Sequence, residues 1–131
     1  MTYLLDANVL ISLCNPQHGN FPAALTWIEA NPSFATCPIT EGALIRLILQ
    51  QDPGNVGAVR KTLGLLSKYH GFEFWPCDLP YRNVNLERIF GHKQVTDAYL
   101  VDLARAHDGR LATFDRALVT VHPEAILVPV G

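Results

Sequence analysis

Tyr3-Leu4-Leu5-Asp6-Ala7-Asn8-Val9-Leu10-Ile11-Ser12-Leu13 decides how this chain folds. Tyr3 to Leu5 reads as a short buried strand that runs directly into an acid. Asn8 to Leu13 then carries apolar residues at helical spacing until Asn15-Pro16 stops it. A strand handed to a helix through one carboxylate is the start of an α/β unit, and the alternation continues downstream. Phe21 to Ala30 reads as a helix ended by Asn31-Pro32, and Phe34 to Pro38 as the next strand. Thr40 is placed to cap a helix from Glu41 to Gln51 that stops at Asp52-Pro53-Gly54. Val56 to Tyr69 is helical with Gly71 as its stop, Phe72 to Cys77 is aromatic and strand-like, and Pro80 to Gly91 reads as a loop with one short helix. Val95 to His107 is a helix closed by Asp108-Gly109; Arg110 to Thr113 and Ala125 to Val130 are strands. The pattern predicts an α/β fold, a central, mainly parallel sheet of four to five strands flanked by helices. No linker, repeat or low-complexity run divides it, so residues 1–131 read as one domain.

Composition narrows the partners. With 49% hydrophobic residues in 131, the chain can build its own core without staples. A net charge of −2 gives no long-range positive field, so any phosphate contact must come from a local patch. Cys14, Cys37 and Cys77 are odd in number and widely spaced, which excludes a disulfide framework or thiolate zinc site and fits a reducing cytoplasm. No uncharged stretch approaches the ~20 residues a membrane helix needs, and no leader is legible ahead of Asp6, so a soluble, unsecreted protein is expected.

Asp6, Glu41, Asp97 and Asp115 each fall where an apolar segment meets a helix start. Taken singly, each is explained by capping, worth ~0.5 to 1 kcal/mol. Helical arithmetic weighs against that for two of them. Steps of three and four from Glu41 reach Leu44, Ile45, Ile48 and Leu49; from Asp97 they reach Leu100, Val101 and Ala104. Both acids therefore head apolar stripes that carry no Lys or Arg, where an unpaired carboxylate costs several kcal/mol. Asp6 and Asp115 remain open to either reading. In a parallel sheet all strand-to-helix turns share one edge, so the four acids can share a pocket there. Like charges so grouped call for a cation, and oxygen-only donors select Mg²⁺ or Mn²⁺. A phosphate ester would complete such a site, and metal-assisted hydrolysis of a phosphodiester is the reaction class that follows.

The segments Leu4-Leu5-Asp6-Ala7-Asn8-Val9-Leu10, Pro38-Ile39-Thr40-Glu41-Gly42-Ala43-Leu44-Ile45-Arg46, Val95-Thr96-Asp97-Ala98-Tyr99-Leu100 and Leu111-Ala112-Thr113-Phe114-Asp115 together resemble a PIN domain. Their order, spacing and the total length most resemble the VapC-type toxins of bacterial toxin–antitoxin pairs. The resemblance implies an Mg²⁺- or Mn²⁺-dependent endoribonuclease, a homodimer, held inactive by a cognate antitoxin. It makes Asp6 and Asp97 the metal ligands, Glu41 the water-positioning group and Asp115 the support for a second ion. Asn8 and Thr113 fall where such proteins place polar support for the site.

Other residues have plainer readings. Asp102 lies about 140° around the helix from Asp97 and can pair with Arg105, so it reads as solvated surface. No pair among His18, His70, His92, His107 and His122 has ligand spacing, and His107 suits a helix C-terminus. Trp27, Phe72, Phe74 and Trp75 are assigned to packing. Arg46, Arg82, Arg88, Lys93 and Arg116 are the cations placed for an RNA backbone, with Arg46 and Arg116 preferred because they flank Glu41 and Asp115; the loop from Pro80 to Gln94 could gate or read the substrate. Three other functions compete, one of them a phosphoacceptor receiver domain, which would want an acidic pair after the first strand that is absent. A haloacid-dehalogenase-type phosphatase would want an acid at Asn8 and a downstream Lys with an acidic pair, both absent. A catalytically silent PIN-fold module binding RNA or a protein is the third, and intact acids at all four positions argue against it.

Overall fold

A computed structural model describes residues 1–131 as five strands and six α-helices. In chain order these are β1 (Tyr3–Leu5), α1 (Ala7–Leu13), α2 (Phe21–Ala30), β2 (Phe34–Thr36), α3 (Pro38–Gln51), α4 (Val56–Leu66), β3 (Phe72–Phe74), α5 (Val95–Ala106), β4 (Arg110–Thr113), α6 (Arg116–Val121) and β5 (Ile126–Leu127). Every strand pairing is parallel, in the order β3-β2-β1-β4-β5. β2 and β3 step outward on one side of β1, and β4 and β5 on the other.

Alternation along the strands sorts their side chains into two cores, because successive residues of a strand point to opposite faces. Leu4, Ala35 and Leu111 join Leu100, Val101, Leu103 and Ala104 of α5 on one face. Leu5, Phe34 and Ala112 join Val9, Leu10 and Leu13 of α1, with Ala24 and Ile28 of α2 and Leu66 at the end of α4, on the other. Helices cover both faces, so the central strands can be apolar throughout. Each fully buried Leu among them contributes ~1.5–3 kcal/mol relative to exposure.

Several boundaries differ from expectation for identifiable reasons. The third helix begins at Pro38, three residues early: Pro suits the first helical turn, and Cys37 is the N-cap, with the Thr40 hydroxyl returning to the Cys37 N–H at 3.1 Å. Thr40 is thus buried inside the first turn, completing the capping box from the third helical position rather than serving as the N-cap. The fourth helix ends at Leu66, and Gly71 is no helix stop; a Cβ there would collide with the Pro32 carbonyl where the chain enters β3. The left-handed backbone that closes α5 belongs to Asp108 (φ 59°), not to Gly109. Strands β3 and β5 pair over fewer residues than their apolar runs suggest. A helix that had no predicted bounds follows Asp115.

Tertiary partners also correct three assignments. Asp102 is not solvated surface: its carboxylate accepts from the Asn85 N–H at 2.6 Å and pairs with Arg105 at 3.3 Å, its side chain only 11% exposed, tying the 80–94 segment to α5. Trp75 is buried and stacks flat on His107 at 4.6 Å, but Phe74 faces solvent on the edge strand. His107 caps α5 and also meets Asp78 at 3.0 Å. The 80–94 segment forms two short 3₁₀ turns and exposes Tyr81, Leu86 and Phe90.

Candidate active site

Reversal of strand order on either side of β1 opens a crevice beyond the carboxyl ends of β1 and β4, the topological switch point where α/β sheets place their sites. Asp6 follows β1 and Asp115 follows β4 at that crevice. Asp97 is in the first turn of α5, which packs against the same two strands.

One hydroxyl organises this region. Thr113, fully buried at the end of β4, donates to Asp6 Oδ2 (2.7 Å) and accepts from the Asp115 N–H (3.0 Å) and from Asn8 Nδ2 (3.3 Å). Asn8 returns its Oδ1 to the Phe114 N–H at 3.2 Å, so its amide bridges α1 to the turn after β4. The second oxygen of Asp6 accepts from the Ala7 N–H at 2.8 Å. Asp6 is 9% exposed; burial raises its pKa, the Thr113 and Ala7 bonds oppose that, and the nearby Asp115 charge adds to it. Asp115 spends Oδ1 on the Leu118 N–H (3.1 Å), capping α6, and is otherwise exposed. Capping and membership of the acidic group thus coexist at Asp6 and Asp115.

Asp97 has no cation beside it. Burial pushes its carboxyl up to about 6, with the charges of Asp6 and then Asp115 adding to the rise. Its stripe of Leu100, Val101 and Ala104 is buried as the spacing implied. Glu41 stands apart from this trio. Its Oε2 accepts a 2.5 Å hydrogen bond from Thr36, the last residue of β2, and its stripe is buried only at Leu44. Thr36 was missed from the sequence, although a hydroxyl ending an otherwise apolar strand was the available signal. No three acidic, histidine or cysteine side chains converge, as these stand, on a single ion-sized point. The donor chemistry nevertheless suits a hard divalent ion: carboxylate oxygens at one strand edge, mutually repelling, with no thiol or imidazole among them.

Among the basic residues, Arg46 and Arg116 are exposed and form no ion pair, and Arg46 reaches back along α3 to within 3.5 Å of where a Gly42 Cβ would lie, one residue beyond Glu41. Arg88 is not available in the same way, since Glu124 holds it at 2.6 Å.

The class defined by this fold and edge is a parallel α/β protein with an uncompensated acidic crevice at its switch point. The chain belongs to the PIN-domain family, which it matches over residues 3–122, and within that family it is of the VapC type. It is 44% identical to "Ribonuclease VapC29" of Mycobacterium tuberculosis over 98% of both chains. It is 38% identical to "Ribonuclease VapC44" of the same organism, over 90% of this chain and 89% of that one. In fold it resembles VapBC2 from Rickettsia felis, crystallised bound to a DNA fragment from their promoter, with a TM-score of 0.64, 19% identity and 97% of each chain covered. FitAcB from Neisseria gonorrhoeae gives a TM-score of 0.64 at 21% identity, covering 97% of this chain and 96% of that one.

Proposed function

We propose that this protein is a divalent-metal-dependent endoribonuclease, the toxin of a toxin–antitoxin pair, hydrolysing RNA phosphodiester bonds. The observation that carries the reading is Asp97: a carboxylate raised to about 6, coupled to Asp6 and Asp115 at the switch-point crevice and unaccompanied by any Lys or Arg. Kinship with proteins named as VapC ribonucleases supports RNA as the substrate, and the likeness to VapBC2 supports an antitoxin partner.

Asp6 and Asp97 would hold Mg²⁺ or Mn²⁺, with Asp115 supporting a second ion. The ion, when bound, supplies an acidified water and charge stabilisation at the phosphorus. The chain's own groups do the rest. Thr113 and the Ala7 N–H hold Asp6 in one orientation, so little reorganisation accompanies binding. Glu41, steadied by Thr36, orients or deprotonates the attacking water. Arg46 and Arg116 hold flanking phosphates against the repulsion of the acids. In this reading residues 1–131 act as one domain, as a homodimer in the cytoplasm; no helix is long and apolar enough to cross a membrane.

The deciding experiment incubates partner-free protein with transfer and ribosomal RNA in Mn²⁺, beside Asp97→Asn. Cleavage by the wild type alone is expected. Cleavage surviving the substitution would remove Asp97 from the site, and an inert wild type that still binds RNA would make the protein a binding module.

A further inference from the structure

Beside the acidic crevice, on the side of α1, lies a second depression with a volume of about 340 Å³, within the range of small-ligand sites, about 300–1,000 Å³. Asn8 and Phe114 form the wall it shares with the crevice. Phe114 sits between Thr113 and Asp115, and its N–H binds Asn8, so the two depressions are joined through one hydrogen bond. Ser12, Asn15, His18, Asn20 and Gln51 supply the remaining polar lining.

No charged side chain lines this groove. A phosphate would want cations there, so the lining suits an uncharged planar group with polar edges. Local bonding has already sorted those edges. His18 Nδ1 accepts from the Asn20 N–H at 3.0 Å, while the nearby Ser12 hydroxyl is committed to the Asn8 carbonyl at 2.7 Å. The ring proton of His18 therefore sits on Nε2 as a donor. Asn15 gives its Oδ1 to the Gln17 N–H at 3.1 Å, which leaves its amide NH₂ to donate. Asn20 begins α2 without using its side chain as a cap, and Gln51 is exposed on the last turn of α3, so both amides can adapt to a ligand. Phe114, half-buried, offers an aromatic surface.

We infer that this groove seats one unpaired nucleobase of the RNA, immediately beside the bond that is cut. The inference rests on the ribonuclease reading above and adds to it the place where sequence is read. Single-stranded RNA is recognised by stacking splayed bases on aromatic rings and hydrogen-bonding their edges, and the groove provides both. Its two donors, from His18 and Asn15, suit a base edge that offers acceptors, as in guanine O6 and N7.

The test compares wild type with Gln51→Ala, Asn15→Ala and Phe114→Leu, none of which alters an acid of the crevice. Cut positions are mapped by sequencing on an RNA pool of randomised sequence in Mn²⁺. In parallel, binding of tetranucleotides differing in one base is followed by fluorescence anisotropy without metal. The wild type is expected to favour guanine at one position beside the cut. The variants should lose that preference and raise KM about tenfold, the size of one base stack, with kcat retained. Gln51→Ala guards against misfolding, because its side chain is exposed on the final helical turn. Unchanged cut positions and unchanged KM in all three variants would overturn the groove while leaving the ribonuclease intact. Base-selective tetranucleotide binding that the variants lose, in a protein that cuts nothing, would keep the groove and sink the ribonuclease.

Discussion

Thr36 ends β2 and Thr113 ends β4, the two strands that flank β1, and each donates its hydroxyl to an acid. The Thr36 bond reaches Glu41 five residues on, within a single strand-to-helix turn. The Thr113 bond spans 107 residues to Asp6 and is one of three that its hydroxyl makes. One clamp is therefore local and forms whenever its own turn forms. The other exists only once β4 has paired with β1, and it links Asp6, Asn8 and Asp115 into a unit with no unpartnered buried side-chain polar atom. The difference teaches how each acid is held: Asp6 by bonds that cross between strands, Glu41 by a single bond within its own turn.

That contrast can be broken by substitution, beginning with the crevice. Asp97→Asn is expected to reduce RNA cleavage at least 100-fold, read in Mn²⁺, because it removes the proposed ligand. The same variant should be more stable than wild type in EDTA at pH 7.5. A carboxyl raised from its ordinary value to about 6 contributes stability that is full below about 4 and lost as pH rises through about 6. Discounted for solvent screening, the gain is on the order of 1 kcal/mol. Thermal melts of both proteins between pH 4 and 8 measure it; equal melting temperatures at every pH would contradict the buried, repelled state of Asp97.

Thr113→Val comes next. It keeps the shape but leaves Asn8 Nδ2 and the Asp115 N–H without their acceptor and Asp6 Oδ2 without its donor, costing ~1–3 kcal/mol. Metal affinity by calorimetry should fall about 10- to 100-fold. Thr36→Val should be milder, with about 1 kcal/mol of stability lost and cleavage slowed while metal affinity stays put, since Glu41 positions water in this reading. Equal losses of metal affinity in the two valine variants would place Glu41 among the ligands and erase the distinction. Smallest of all, Arg46→Ala and Arg116→Ala should each raise KM for RNA severalfold and reduce the salt dependence of binding by about one charge, with unchanged melting temperature.

Local signals carried much of the fold. Apolar runs stopped by Asn15-Pro16, Asn31-Pro32 and Asp52-Pro53-Gly54 located α1, α2 and the end of α3 within a residue or two, because Pro cannot continue a helix. The start of α3 misled for the same kind of reason: Pro38 resembles a strand end but suits a first helical turn. At the site, the inward stripe behind Asp97 was legible from spacing alone, and its burial follows. The Asn85 bond to Asp102 and the Glu124 hold on Arg88 were not, since each depends on where another segment of the chain is brought, whereas Thr36 was missed although its bond to Glu41 is local.

By itself the sequence determined that strands and helices alternate, that acids stand at helix starts and that two of them head apolar stripes, because periodicity and capping act over one or two turns. Tertiary structure decided which acids feel one another. Only the pairing of β1 with β4 brings Asp6, Thr113 and Asp115 to one crevice, and only the packing of α5 across those strands gives Asp97 its burial and its repulsion. Charge coupling and desolvation depend on distance through space, which strand order sets and spacing along the chain does not.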